Sequence, residues 1–439
     1  MIPAAVQRPK IYYRDRSSGL SMQPGSVPRW GKDQFAIRRA EVCWSRRSAR
    51  GDLIHPVTVH DDGLRRHTAT AFSMSHIGFG ARDQSGLARA FRAGRNPPRL
   101  NLPSPHAYSL FMSVSNQQIG IGLIGVGRHG RRYLDHLRTD VPGAGVVAVC
   151  RKRTGLPATG ALAGLSLYAD YRELIADPLV QAVVVVTAPA LCPEICLAAA
   201  AAGKPILIEK PLANSGAEAR AMVAAAERAG VLLMTAQTMR FDATVLSAKA
   251  QLPAIGRLRL VDLVNHVDSA ASIASRSSGT AVPGALLEIG VHLLDLVRFF
   301  TGEEVAQVEC RLDRPDGAVE AAARAVLHTA DGAVCSIDAA RVDTGRIGTM
   351  QWEGTEGTVT ADWVRRTVTC RIGGGRPRQW TVEPAPTIVA VLRAFLYAIR
   401  TNTQPPVSGV DGCRAVELAD ACYRSAALGG TAVSVQEFP

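Results

Sequence analysis

Residues 119–130 read Ile-Gly-Ile-Gly-Leu-Ile-Gly-Val-Gly-Arg-His-Gly. The first six form a short apolar run, and Gly125, Gly127 and Gly130 follow at Gly-x-Gly-x-x-Gly spacing. Residues 131–139 then read as a helix. A strand, a tight turn and a helix in direct succession are the context in which that glycine spacing carries weight. Gly125 permits the turn, Gly127 lets a pyrophosphate approach the backbone, and Gly130 lets helix pack on strand. Phosphates would rest on N–H groups at the helix N-terminus, beside Arg128 and His129.

Working outward, strands are predicted at 145–150, 182–187, 206–209 and 231–236, with helices at 171–176, 193–202 and 217–229. The strands are nearly continuous apolar runs, the pattern of a parallel sheet covered on both faces. After Arg240 the pattern changes. Strand-like runs at 258–267, 305–311 and between 323 and 382 are broken by Asp331-Gly332 and by glycines at 354–357 and 373–375. One helix, 284–300, interrupts them, and helices at 387–400 and 411–427 close the chain. The expectation is an α/β dinucleotide domain over 112–239. An α+β domain with an open, mostly antiparallel sheet follows over 240–435, with C-terminal helices packing back on the first domain. The uncovered face of the second sheet predicts a homo-oligomer.

Composition narrows the class. Of 439 residues 47% are hydrophobic and 20% charged, which suits a soluble core-forming protein. No apolar run approaches the ~18 residues of a membrane span. Nine scattered cysteines without a C-x-x-C point to a reducing, cytoplasmic compartment and away from a metal ribbon. The net charge of +12 suggests a nucleic-acid partner until it is mapped. Residues 1–111 hold 18 Lys/Arg against 7 Asp/Glu; the remainder holds 32 against 31. The basic quarter has Arg pairs and no sustained apolar period, so it is expected to be a disordered extension. Three readings of it are a basic arm, a targeting peptide and a coding start placed upstream of Met112. The last is preferred, and nucleic-acid binding is not expected.

Three further segments carry chemistry. The second strand ends in Cys150-Arg151-Lys152-Arg153, where an acid would hold the ribose 2′-hydroxyl of NAD. Cations there can pair with a 2′-phosphate, so NADP is favoured over NAD. In the apolar helix 284–300, Glu288, His292 and Asp295 fall at about 0°, 40° and −20° on the helical wheel. One buried face carrying three ionisable groups reads either as a hydrogen-bonded core cluster or as a substrate-facing stripe. In the second reading His292 is the general acid/base. Glu288 would bind a substrate hydroxyl or orient the ring, and Asp295 would orient the ring or bond backbone or Arg298. Lys210, in Glu209-Lys210-Pro211, sits at a strand's carboxyl end, where open α/β sheets bind ligands.

Together, the segments at 121–130, 183–213, 236–241, 284–302 and 408–426 resemble the Gfo/Idh/MocA oxidoreductases. The resemblance spans 118–435. It implies a Rossmann domain, an open-sheet domain, and hydride transfer between nicotinamide and a hydroxyl-bearing carbon of a sugar, cyclitol or related polyol. It carries Lys210 over as the catalytic lysine and His292 as acid/base, with Glu288 four residues earlier. Thr187 and Pro189 match the nicotinamide pocket, Glu209 the ribose side and Arg240 the cofactor cleft. It also implies a cis Lys210-Pro211 bond. Cys192 stands where the family commonly has His, and Cys192 with Cys196 is read as helix packing, so no metal site is expected. Alternatives within the same fold are an NAD-dependent glycoside hydrolase with transient oxidation and a non-catalytic NAD(P)-binding sensor.

Overall fold

A computed structural model of the chain describes residues 118–152, 162–268, 284–314 and 319–435. The expectations for residues 1–111 and for Arg153 lie outside the described residues.

The first sheet has six strands: β1 (Ile119–Ile124), β2 (Ala144–Cys150), β3 (Ser166–Tyr168), β4 (Ala182–Val185), β5 (Ile206–Glu209) and β6 (Leu233–Ala236). Their order is β3-β2-β1-β4-β5-β6, and every neighbouring pair is parallel. The order reverses between β1 and β4, so the strand ends open a crevice where the Gly125 loop lies. Burial on both faces explains the unbroken apolar reading of β4, Ala-Val-Val-Val, all four residues buried. On one face lie helices α1 (Arg128–Thr139) and, from the far end of the chain, α7 (Thr387–Thr401). Tyr133, Leu134 and Leu137 share one cluster there with Leu392, Phe395 and Leu123. Helices α3 (Cys192–Ala201) and α4 (Gly216–Arg228) cover the other face.

The second sheet has nine strands: β7 (Leu258–Asp268), β8 (Val305–Asp313), β9 (Ala322–Thr329), β10 (Val334–Val342), β11 (Ile347–Gly354), β12 (Gly357–Asp362), β13 (Thr367–Ile372), β14 (Arg378–Thr381) and β15 (Val433–Ser434). The order is β14-β13-β12-β11-β7-β10-β9-β8-β15. Only β7 with β10 is parallel; all other pairs are antiparallel. Alternate residues such as Val261, Leu263, Cys335, Ile337, Met350 and Trp352 face one core. There they meet helix α6 (Val291–Thr301), whose Phe300 lies edge-on to Trp352 at 4.4 Å. The last helix, α8 (Gly409–Ala427), bridges both cores. Its Cys413 and Val416 pack with α3 and α4, while its Leu418 and Cys422 pack under the second sheet.

The single helix expected over 284–300 differs in one respect. Leu286–Gly290 is a π-helical turn, and the regular α-helix starts at Val291. Such turns leave backbone carbonyls out of the normal ladder and recur at functional sites.

Candidate active site

Gly125 has φ +95°, and a side chain there would overlap the Val186 carbonyl. One on Gly130 would overlap the Gly125 carbonyl. The fold itself therefore requires both glycines. Gly127 is different. Its backbone is extended, with φ −67° and ψ −170°, and a Cβ built there meets nothing within 4 Å. That open space lies at the N-terminus of α1, whose first turn has no side-chain cap and no acid. An anionic pyrophosphate fits this cradle, and the protein leaves it the N–H groups and the helix dipole. Thr187 lies against Gly125, and Pro189 opens a short 3₁₀ turn after β4. Arg151 and Lys152 follow directly on β2.

Glu209 is buried at the end of β5. His129 Nε2 lies 2.8 Å from Glu209 Oε1, the Tyr133 hydroxyl donates to that oxygen at 2.6 Å, and the Lys210 backbone N–H donates to Oε2 at 2.9 Å. Burial pushes the carboxyl up, but His129, Lys210 and Tyr133 more than offset it and hold it below the usual range. Burial, reinforced by Glu209, raises the Tyr133 phenol well above its ordinary value. Glu209 thus ties the nucleotide loop to the residue beside it, Lys210. The Lys210–Pro211 peptide bond is cis.

Lys210 Nζ donates to the Glu288 carbonyl oxygen at 2.6 Å. This acceptor sits inside the π-helical turn, one turn before His292. Burial lowers the lysine's proton affinity, with Glu209 and Glu288 pulling the other way. Burial also lowers that of His292, far below the ordinary imidazole value, and the charges of Lys210, Arg346 and His129 lower it further. A neutral imidazole and the Lys210 amine therefore share one site. The imidazole can take a proton while the amine stabilises a developing oxyanion.

Two assignments from the helical wheel change. Asp295 neither orients His292 nor pairs with Arg298. It is buried and takes a bidentate pair from Arg240, Nε to Oδ2 at 2.7 Å and Nη2 to Oδ1 at 2.6 Å. Arg298 turns instead to Glu304 and Asp411. The Arg240 Nη2 also reaches Asp411 Oδ1 at 3.1 Å. Arg240, carried over as lying near the cofactor cleft, is thus committed to two carboxylates and only 7% exposed. Glu288 does not orient the ring either: its carboxylate receives Arg341 Nε at 3.0 Å. The partners that do hold the site residues, Tyr133, Gln237 and Arg341, were not singled out from the sequence. Tyr133 had a signal, one helical turn after His129 on the same face. Arg341 had none, since β10 lies far away in sequence.

Cys192 and Cys196 are buried in α3, where burial pushes both thiols up to about 12. Among the described residues no three His, Cys, Asp or Glu side chains are placed to hold a metal ion, and no helix is long and apolar enough to cross a membrane.

Known proteins resemble this chain in both sequence and fold. A family model described as "Oxidoreductase family, NAD-binding Rossmann fold" matches residues 119–237, and the "GFO/IDH/MocA C-terminal domain" model matches 250–360. Inositol 2-dehydrogenase 2 of Saccharopolyspora erythraea is 31% identical over 334 residues, covering 72% of this chain and 95% of that protein. A D-apiose dehydrogenase of Paraburkholderia graminis is 27% identical over 336 residues, covering 70% and 88%. Levoglucosan dehydrogenase in complex with NADH and levoglucosan superposes with a TM-score of 0.66 at 25% identity, covering 73% of this chain and 100% of that one. The chain belongs to the Gfo/Idh/MocA family of oxidoreductases.

Proposed function

We propose that this protein is a dehydrogenase or reductase that moves hydride between a nicotinamide dinucleotide, NADP in preference to NAD, and a hydroxyl-bearing carbon of a sugar, cyclitol or related polyol. The observation that carries the reading is the 2.6 Å bond from Lys210 Nζ to the Glu288 carbonyl. It joins the strand end beside the nucleotide loop to the turn that leads into His292. Relatives named as inositol, apiose and levoglucosan dehydrogenases support the substrate class.

Residues 112–239 hold the cofactor in this reading, and 240–435 form the substrate side. Gly125, Gly127 and Gly130 with the α1 N-terminus, flanked by Arg128 and His129, receive the pyrophosphate. Arg151 and Lys152 receive the 2′-phosphate and account for the NADP preference. Thr187, Pro189 and Glu209 border the nicotinamide and its ribose. The cofactor, when bound, supplies the hydride acceptor or donor. In the oxidising direction His292 takes the hydroxyl proton and Lys210 holds the oxygen as its negative charge develops. Glu288, fixed by Arg341 and partly exposed, is the side chain set to bind a second substrate hydroxyl. Arg240 acts indirectly, by fixing Asp295 on the helix that carries His292. Self-association through the uncovered face of the second sheet belongs to the same reading.

His292→Ala and Lys210→Ala are each expected to lower kcat by about 10²-fold or more, the scale of a lost acid/base group. Cofactor binding, followed by fluorescence, reports whether the variants remain folded. Turnover near that of the unmodified enzyme in either variant removes the role assigned to that residue.

A further inference from the structure

Gln237 is the first residue beyond β6 and only 1% exposed. Its backbone is fixed on both sides: its N–H donates to Thr235 at 2.9 Å, and its carbonyl accepts from Arg240 at 3.1 Å. Its side-chain Oε1 lies 3.1 Å from His292 Nδ1. The nearby carboxylates on the same helical segment are occupied, Asp295 by Arg240 and Glu288 by Arg341. We infer that Gln237 is the positioning residue for His292: its carbonyl oxygen accepts the Nδ1 proton, fixes the ring tautomer, and leaves Nε2 as the basic nitrogen. This rests on His292 being the acid/base of the proposed reaction.

The chemistry follows from what an amide can do. A neutral imidazole carries one N–H, and its position is set by the partner of the other nitrogen. An amide oxygen accepts a hydrogen bond but brings no full negative charge, so it orients the ring without favouring the imidazolium. The other groups facing the ring are Lys210 at the end of β5, Arg346 in the β10–β11 loop and His129 in the nucleotide loop. They too disfavour a second proton. In the oxidising direction the substrate O–H bond breaks and an Nε2–H bond forms. The two electrons of the C–H bond leave with the hydride to the nicotinamide, and the Nδ1 proton stays on its bond to Gln237. In reduction Nε2–H returns its proton to the new alkoxide.

Nitrogen-edited NMR of the unmodified enzyme reads the tautomer directly, with His292→Ala used to assign the signal. Nδ1–H is expected; a ring protonated at Nε2 overturns the inference. Gln237→Glu keeps the acceptor but adds a charge, so the acid limb of kcat/KM should move to higher pH by about one unit or more. If position 237 does not meet Nδ1, the new carboxylate leaves that limb unmoved, and an unmoved limb overturns the inference. Gln237→Leu should lower kcat about tenfold or more with the Kd for NADPH unchanged. If the leucine variant does not fold, the glutamate variant and the NMR signal still decide. Failure here is separable from failure of the proposed function. An inactive His292→Ala beside an unmoved Gln237→Glu profile removes the inference alone, and an active His292→Ala removes the acid/base reading beneath it.

Discussion

Gly127→Ala separates what the fold needs from what the cofactor needs. The backbone there, φ −67° and ψ −170°, is open to any residue, and the new methyl group meets nothing within 4 Å. Alanine in place of glycine restricts the unfolded chain, worth about 0.4–1 kcal/mol in favour of folding. Alanine is also a poorer helix N-cap than glycine, at a cost of about 0.5–1 kcal/mol. The two terms nearly cancel, so Tm should change by only a few degrees at most. The cofactor sees a different surface. A methyl group where the pyrophosphate approaches pushes it off the N–H groups of the α1 N-terminus. A hydrogen bond to a charged group contributes about 1.5–3 kcal/mol. Losing one weakens binding by about tenfold to 100-fold, since about 1.4 kcal/mol is a factor of ten. The assay is a fluorescence titration with NADPH and NADH beside a thermal melt. Gly130→Ala is the contrast: its Cβ overlaps a backbone carbonyl, and about 1–3 kcal/mol of stability should be lost. A Gly127→Ala protein that melts normally and binds both cofactors as tightly as the unmodified chain refutes the placement of the pyrophosphate.

Arg151→Ala should weaken NADPH binding about tenfold while leaving NADH nearly unchanged, at the scale of one charge-assisted bond; equal effects on the two cofactors remove the 2′-phosphate assignment. Arg240→Met strands Asp295 as a buried carboxylate, while Asp411 keeps Arg298, and denaturant unfolding should show a loss of about 3–5 kcal/mol. Adding Asp295→Leu should recover part of it, whereas no recovery contradicts the direct pairing. Asp411 is raised by burial but lowered further by Arg240 and Arg298, so its folded value is depressed. Its stabilising contribution is therefore complete above the ordinary carboxylate range, and is lost as pH falls through the lower folded value. His292 is also depressed, so the acid limb of kcat/KM should lie below the ordinary imidazole value of about 6.5. A limb at or above that value contradicts a ring held neutral by burial and neighbouring cations.

Much of the architecture was legible because burial imposes a pattern on the chain. The two-sided burial of β4 and of residues 206–208 in β5 keeps them apolar, and Gly125–Gly130 follows a strand of the same kind. Missed elements such as β3 and the helix Ala243–Lys249 had weak signals. β3 is three residues at the sheet edge, too short for a period. The helix Ala243–Lys249 is two turns long, marked only by Asp242, whose side chain caps the N–H groups of Thr244 and Val245. The candidate site was legible in its members and not in their partners. Periodicity places Glu288, His292 and Asp295 on one face, but the π-helical turn at Leu286–Gly290 breaks the 3.6-residue phase on which that face was reckoned. Which cation or amide meets each of them depends on residues such as Gln237, Arg240 and Arg341. Their approach is set by the packing of the second sheet and α8 against the first domain, which no local pattern encodes.

The central claim is net hydride transfer between a polyol and a nicotinamide dinucleotide. Its most direct measurement is the absorbance of reduced nicotinamide while the enzyme meets a panel of cyclitols, sugars and their oxo forms, with NADP and NAD in parallel. Stoichiometric cofactor reduction or oxidation with at least one such substrate, faster with NADP, is the expected result. A protein that binds the cofactor yet turns over none of the panel, or cleaves a glycoside with no net change in the cofactor, contradicts the account.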